Sequence, residues 1–142
     1  MSELDPKLEQ LLIAGRLGVL ATLKRDGRPQ LSNVGYHYDP TSQVARVSIT
    51  DSRAKTKNLR RDPRASMQVS SPDGWSYVVL ESTAQLSAVA TADDDATVDE
   101  LVELYRAIGG EHPDWAEFRS AMVAEGRLVL RLPAERLYGA AR

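Results

Sequence analysis

The alternation of apolar and polar residues along the chain predicts a protein built mostly of β-strands and preceded by a short helix. Asp5 can cap that helix, Pro6 suits its first position, and the leucines that follow share one face up to Gly15. From Leu17 the pattern changes to that of strands, and Asp26-Gly27 supplies a hairpin turn between the first two. We therefore expect the first two strands to pair in antiparallel fashion.

The rest of the pattern predicts a mainly β fold, largely antiparallel, with attached helices. The third strand completes a meander, and a strand as long as residues 75–88 usually bends to serve two parts of a barrel. The predicted elements are strands over residues 17–24, 29–38 and 43–50, a short basic helix stopped by Asp62-Pro63, strands over 65–70 and 75–88, a helix ended by Gly109-Gly110, a helix over 114–124 and a last strand over 127–133. A closed or split barrel of about six strands would satisfy the sheet edges.

Length and composition favour one soluble domain over residues 1–142. The absence of cysteine excludes disulfides, zinc-thiolate sites and thiol nucleophiles, and it is compatible with a reducing cytoplasm. The N-terminal M-S-E-L-D-P-K contains no apolar signal core, and no apolar run approaches the roughly 18 residues of a membrane span. We therefore expect a cytoplasmic protein with no membrane span.

Positive charge is concentrated in one short segment, residues 52–66. Six of the chain's 18 Lys and Arg residues lie between Arg53 and Arg64, and Asp62 is the acidic residue among them. That window carries +5, so the remaining chain carries −7 to give the net charge of −2. A mildly acidic chain that gathers cations at the start of a helix is expected to present them to an anion, and phosphate is the first candidate.

The residue types at this helix start suit phosphate. Arg53 and Lys55 arrive where free backbone N–H groups and the helix dipole already favour negative charge, and Asn58 follows about one turn later. Arg supplies a bidentate fork, Lys a mobile charge and Asn a further donor. The alternative is a solvated amphipathic helix whose Leu59 packs inward while its cations face water.

Other residues that could carry chemistry are sparse. The chain lacks the phosphate-loop, dinucleotide-binding, zinc-protease and serine-hydrolase motifs. His37 and His112 are its two histidines, so a metal site built from several histidines of one chain is excluded and no metal is expected.

Two further features allow two interpretations each. Trp75 follows a glycine at the start of the long predicted strand, where it is either a core or rim aromatic or a residue that stacks on a cofactor ring. The polar residues Gln30, Ser32 and Asn33 of the second strand either face solvent or face a ligand.

Three segments together resemble a known family: the hairpin G-V-L-A-T-L-K-R-D-G-R-P-Q-L-S-N-V, the basic segment S-R-A-K-T-K-N-L-R-R-D-P-R-A-S and the following G-W-S-Y-V. They are similar to the pyridoxamine 5'-phosphate oxidase-like proteins, which are split β-barrels that bind flavin or deazaflavin. The similarity is closest to the actinobacterial branch that uses the deazaflavin coenzyme F420, the B subgroup of the flavin/deazaflavin oxidoreductases. It runs over nearly the whole chain and implies a six-stranded antiparallel split β-barrel of the FMN-binding type.

The resemblance also implies a homodimer with two cofactor sites in grooves at the subunit interface. In such proteins the phosphate is held at the positions that are Arg53, Ala54, Lys55 and Asn58 here. The ring would lie along Gln30, Leu31, Ser32, Asn33 and Val34, beside Ser48 and Ile49. Arg60 and Arg61 would meet the polyglutamate tail of F420, and Trp75, Ser76, Tyr77 and Val78 would reach in from the sheet edge or from the partner subunit.

The function implied by the resemblance is hydride transfer from reduced F420 to an unidentified small conjugated molecule. In such an enzyme the cofactor carries the chemistry, and a dedicated catalytic acid need not exist. The alternatives are an FMN-dependent oxidoreductase of the same fold and a cofactor-binding or carrier protein without turnover. The negative net charge and the scarcity of interleaved aromatics argue against a nucleic-acid module.

The C-terminal sequence departs from that of the pyridoxamine phosphate oxidases themselves. Those enzymes carry Arg and His positions near the C-terminus that hold the substrate phosphate, whereas this chain ends in P-A-E-R-L-Y-G-A-A-R. The shared fold therefore does not by itself imply oxidation of vitamin B6.

Overall fold

The computed structural model describes residues 3–142, which form four helices and nine strands. The helices are α1 Pro6–Ala14, α2 Ala54–Arg61, α3 Ala96–Gly109 and α4 Trp115–Ala124. The strands are β1 Leu17–Leu23, β2 Pro29–Gly35, β3 His37–Asp39, β4 Val44–Thr50, β5 Arg64–Ser70, β6 Tyr77–Thr83, β7 Gln85–Leu86, β8 Arg127–Pro133 and β9 Arg136–Ala140. Met1 and Ser2 lie outside the described residues. Both belong to the N-terminal segment in which no signal core was expected and to the domain predicted over residues 1–142.

The strands pair antiparallel in two sheets, ordered β2-β1-β5-β6-β9 and β3-β4-β8-β7. The chain passes between the sheets four times, from β2 to β3, from β4 to β5, from β6 to β7 and from β8 to β9, so the two sheets share one interior. At the first and third of these crossings a backbone N–H bonds to a loop carbonyl instead of a neighbouring strand. Tyr36 donates to the Arg16 oxygen at 3.0 Å, and Ala84 donates to the Pro63 oxygen at 2.7 Å. The mainly antiparallel β fold with attached helices is confirmed.

The strand count and several strand limits differ from the expectation. Nine strands form within the described residues where six were expected. The strand predicted over residues 75–88 breaks at Ala84, and its continuation joins the other sheet as β7, so the predicted bend is a crossing between sheets. The strand predicted over 29–38 is divided in the same way at Tyr36. Strand β9 was not predicted, because its largely exposed residues around Gly139 show no apolar alternation.

Apolar side chains from both sheets fill the interior between them. Leu128 and Leu132 of β8 and Met67 of β5 are fully buried there. Helix α1 packs on this core through Leu12, whose carbonyl oxygen accepts a hydrogen bond from the buried hydroxyl of Tyr36 at 2.7 Å. The N-terminal helix predicted from the Asp5 cap is thereby tied to the barrel.

Helices α3 and α4 form a second layer on the outer side of the four-stranded sheet. Leu101 of α3 and Phe118 of α4 pack with Val129, which points outward from β8. Glu100 of α3 pairs with Arg131 on the same side of the sheet. None of the helices within residues 3–142 has the length and apolar character needed to cross a bilayer.

The outward side of the five-stranded sheet, here called the open face, carries exposed apolar side chains. Leu17 and Val19 of β1, Leu31 of β2 and Tyr138 of β9 share this side in the pairing register. Leu17 and Leu31 are 65% and 63% exposed. A sheet face with several large exposed apolar residues is a candidate interface.

Candidate functional site

A groove of about 870 Å³ runs between α2 and the β1–β2 hairpin. Among the described residues that line it, five are Lys or Arg and none is acidic, so the groove favours negatively charged ligands. The lining comprises six residues selected from the sequence, Gln30, Leu31, Ala54, Asn58, Arg60 and Arg61, and four that sequence analysis did not select, Lys24, Arg25, Pro29 and Lys57.

The turn between β1 and β2 brings Lys24 and Arg25 to the groove. Gly27 adopts a φ of 87°, and its N–H donates to the Lys24 carbonyl oxygen at 2.9 Å. The Asp26 carboxylate accepts from the Arg28 N–H at 3.0 Å. The predicted Asp26-Gly27 hairpin turn is confirmed. The two cations beside it were missed because charges next to a turn are usually solvated.

Helical spacing brings the remaining cations to the same groove. Ala54, Lys57, Asn58 and Arg61 recur every three or four residues, so they share one face of α2. Lys57 could have been recognised in the sequence by this spacing. Leu59 lies on the opposite, buried face, as expected for an amphipathic helix.

The five Lys and Arg residues that line the groove differ in whether an acidic residue neutralises their charge. Arg60 forms an ion pair with Asp51 at 2.7 Å. Within residues 3–142, Lys24, Arg25 and Lys57 form no ion pair. These three residues are called the groove cations below. Their uncompensated charge can pair with anionic groups of a ligand.

A second cluster of cations lies at the N-terminus of α2. Arg53 is the N-cap residue and makes no side-chain capping bond, and the N–H groups of Ala54 and Lys55 have no acceptor among the described residues. Burial lowers the pKa of Lys55, and the charges of Arg53 and Arg127 lower it further. Arg127 begins β8 opposite Thr50 and was not selected from the sequence, since the β4–β8 pairing brings it here. Arg53, Lys55 and Arg127 are called the N-terminal cluster below.

Asn58 lies at the groove and is 7% exposed. Its Nδ2 donates to Gln30 Oε1 at 2.7 Å and to Thr22 Oγ1 at 3.2 Å. Its Oδ1 accepts from the Arg61 guanidinium at 3.3 Å. Both amide hydrogens of Asn58 therefore already have acceptors within the chain, as does Arg127, which is paired with Glu125 at 3.0 Å, whereas the N–H groups of Ala54 and Lys55 have none among the described residues.

The remaining predicted residues of β2 and β4 point in different directions. Val34 and Ile49 are buried in the barrel core and do not line the groove. Ser32 is half-buried, and its hydroxyl oxygen has no hydrogen-bond partner among the described residues, whereas Asn33 is exposed. Ser48 lines a separate cavity of about 440 Å³ between β4, α3 and α4. Residues 3–142 contain no cluster of three His, Asp or Glu side chains that could hold a metal ion.

The predicted segment from Trp75 to Val78 lies at the other end of the five-stranded sheet. Trp75 is 69% exposed, whereas the three residues after it are buried or half-buried. The register places Tyr77 level with Leu17, while the groove adjoins the opposite end of β1 at Leu23. Since a strand of seven residues spans about 20 Å, Trp75 lies far from the groove of its own chain.

The arrangement suits a ligand that has a planar part and more than one anionic group. The N-terminal cluster and the groove cations lie on α2 and its neighbours, and the apolar Pro29 and Leu31 line the groove with the amide of Gln30. Apolar surface with a few polar groups is typical of small-molecule sites. The volume of the groove, about 870 Å³, lies within the range of about 300 to 1,000 Å³ that is usual for such sites.

Comparison with solved structures supports the expected fold class. An F420 reductase structure is 20% identical, with a TM-score of 0.70 over 95% of this chain and 98% of that one. The conserved hypothetical protein Rv2991 from Mycobacterium tuberculosis is 21% identical, with a TM-score of 0.72 over 99% of this chain and 90% of that one. At these identities the likeness shows the fold, and the split β-barrel class is confirmed.

Comparison at the sequence level shows the family. An F420H2-dependent biliverdin reductase from Mycobacterium tuberculosis is 30% identical over 125 residues, which are 88% of this chain and 80% of that protein. Residues 4–140 match the family described as Pyridoxamine 5'-phosphate oxidase. This chain therefore belongs to the pyridoxamine 5'-phosphate oxidase family.

Proposed function

We propose that this protein is an F420-dependent reductase that transfers hydride from the reduced coenzyme to a small conjugated molecule. The observation that carries the proposal is the groove between α2 and the β1–β2 hairpin, with five cations and no described acidic residue in its lining. The relative that is 30% identical is named for its use of reduced F420, which favours F420 over FMN as the cofactor.

The residues present fit this coenzyme. F420 differs from a simple flavin by its polyglutamate tail, so its anionic groups occupy more than one position. Arg53, Lys55 and the backbone N–H groups at the start of α2 offer donors with no partner among the described residues, and the groove cations offer uncompensated charge on α2 and the β1–β2 turn. Two separate cationic clusters match a phosphate and a tail better than they match the single phosphate of FMN.

Each part of the site has a proposed role in binding. Arg53 and Lys55 hold the phosphate through charged hydrogen bonds, and the groove cations with Arg60 and Arg61 hold the carboxylates of the tail. Strand β2 orients the ring, and Leu31 excludes water from one side of it. When bound, the reduced coenzyme supplies hydride from C5 of its ring, so the protein contributes orientation and a dry surface.

The substrate is proposed only as a class, a small conjugated molecule that can accept hydride. Biliverdin is the first compound to test, because the relative's name contains it. A cytoplasmic location, which the cysteine-free composition favours, stays a prediction.

We also propose a homodimer that forms through the open face. Packing against a second copy would remove exposed side chains such as Leu17 and Leu31 from water. A two-fold axis lying across the strands would set the Trp75 end of one sheet against the groove end of the other. Each groove would then be completed by the partner's Trp75, which this chain cannot supply to its own groove.

The proposed function is tested by titrating the purified protein with F420 and separately with FMN. Quenching of ligand and tryptophan fluorescence at physiological salt reports binding, and loss of reduced F420 on adding biliverdin reports turnover. Selective binding of F420 at micromolar or lower concentration supports the proposal. Preference for FMN would replace the cofactor, binding without any turnover would favour a carrier, and binding of neither would contradict the site.

The lowered pKa of Lys55 predicts how affinity for F420 depends on pH. An anion binds more strongly to the protonated lysine, so affinity for F420 should fall as the pH rises through the pKa of Lys55. Because that pKa is lowered, the fall should occur at a lower pH than the value of about 10.4 at which ordinary lysines titrate. We expect Lys55→Arg to remove this fall, because arginine stays charged, and Lys57→Arg to retain it. Dissociation constants measured from pH 7 upward check the prediction, and the same pH profile in Lys55→Arg would contradict it.

A further inference from the structure

A hydrogen-bonded network beneath the groove joins α2 to both strands of the hairpin. The Asn58 side-chain amide donates to Gln30 Oε1 at 2.7 Å on β2 and to Thr22 Oγ1 at 3.2 Å on β1. Asn58 and Thr22 are both buried, and Gln30 is half-buried and lines the groove. Of these three side chains, Gln30 is therefore the one most available to a ligand.

The orientation of the Asn58 amide follows from its third partner. Arg61 can only donate, and its guanidinium lies 3.3 Å from Asn58 Oδ1 while also donating to the Leu23 carbonyl oxygen. Rotating the Asn58 amide would set its NH2 group against the donors of Arg61. The oxygen must therefore face Arg61, and the NH2 group must face Thr22 and Gln30.

This orientation determines what Gln30 offers to the groove. Because Gln30 Oε1 accepts from Asn58, the unengaged polar group of the Gln30 side chain is its NH2 group, which can only donate. We infer that Asn58 is a positioning residue that holds the Gln30 amide so that the groove presents an N–H donor to an acceptor atom of the bound ring. This inference rests on the proposed function and differs from a direct phosphate contact by Asn58.

A double-mutant cycle separates positioning from direct contact. We expect Asn58→Leu and Gln30→Ala each to weaken F420 binding about three- to tenfold, the scale of one neutral hydrogen bond. If Asn58 acts through Gln30, the double variant should bind no more weakly than Gln30→Ala alone. If Asn58 contacts the ligand itself, the two losses should multiply, and that result would overturn the inference.

A second measurement needs no ligand and uses the wild-type protein. Exchange of side-chain NH2 hydrogens with water, followed by nitrogen-15 NMR, should be slow for Asn58 and fast for Gln30. In Asn58→Asp, which can only accept at this position, the Gln30 amide should rotate and its hydrogens should become protected. Equal protection of the two amides in the wild type, or no change at Gln30 in Asn58→Asp, would contradict the inference.

The two measurements also separate this inference from the proposed function. If the wild-type protein fails to bind F420, the proposed function is wrong, while the exchange rates still decide whether Asn58 orients Gln30.

Thr22→Val is the matched control, because it removes the weaker of the two acceptors of Asn58 and leaves the bond to Gln30. We expect it to change F420 affinity less than twofold, and a loss as large as that of Asn58→Leu would overturn the assignment.

Discussion

Replacing Val19 with Asp should convert the proposed dimer to a monomer and weaken the binding of F420. Val19 lies on β1 between Asn33 and Gln68 in the pairing register, so it is near the centre of the open face. Burying an unpaired carboxylate in an interface costs roughly 3 to 5 kcal/mol, which is the cost of leaving a buried charge without its ion-pair partner. Sedimentation or light scattering at micromolar concentration measures the change in mass.

Ile13→Asp is the matched control for this prediction. Ile13 is exposed on α1 rather than on the open face, so the same charge there should leave the oligomeric state unchanged. A wild-type protein that is monomeric, or a Val19→Asp protein that stays dimeric, would contradict an interface on the open face.

Mixing two variants that are each expected to bind F420 weakly tests whether the partner completes each site. If the partner's Trp75 completes the groove, a heterodimer of Arg53→Ala and Trp75→Ala subunits has one site with both changes and one with neither. Mixing the variants after unfolding and refolding should therefore restore tight F420 binding in a fraction of the sites. No recovery would mean that Trp75 and Arg53 do not meet across the interface.

Replacing Arg53 or Lys55 with Ala should weaken F420 binding by about 1.5 to 3 kcal/mol each, or roughly 10- to 150-fold. The reason is the loss of a charged donor at the helix N-terminus, where the helix dipole and the free N–H groups of Ala54 and Lys55 favour an anion. The proposed dimer should stay folded, because Arg53 is exposed and Lys55 is half-buried. Fluorescence titration gives the affinities, and thermal unfolding checks the fold.

Arg64→Ala controls for the loss of charge. Arg53, Lys55 and Arg64 all lie outside the lining of the groove, but Arg64 is paired with Asp62 at 2.8 Å and lies beyond the C-terminal end of α2, away from the N-terminal cluster. Its replacement should change F420 affinity little, as expected for an exposed ion pair. If Arg53→Ala and Lys55→Ala bind F420 as tightly as Arg64→Ala does, the basic face of α2 is a solvated surface.

Local sequence signals predicted most of the elements of this fold. The Asp26-Gly27 turn, the cap at Asp5 and the stop at Asp62 depend on neighbouring residues, and each appears where it was expected. The crossings at Tyr36 and Ala84 were not predicted, because they depend on hydrogen bonds to loop residues about 20 positions away. A period-two pattern continues through such a crossing, so it does not reveal that the strand changes sheets.

The candidate site could be predicted only in part for the same reason. The concentration of charge on α2 is a local property, and this helix borders the groove, whereas the anion site expected at its N-terminus stays a prediction. The addition of Lys24 from the hairpin and of Arg127 from β8 depends on strand pairing. The hydrogen bonds that the Asn58 amide donates within the chain depend on Thr22 and Gln30, which are 36 and 28 positions away.

The sequence by itself determined the helices, most strands, the family and the cationic character of α2, because these follow from periodicity, capping, charge and motif. The tertiary structure decided which cations share the groove, that the Asn58 amide is already bonded, and that the Trp75 end of the sheet lies away from the groove. These features depend on the register between strands that are distant in the chain. A local pattern contains no information on that register, because the packing of the whole barrel selects it.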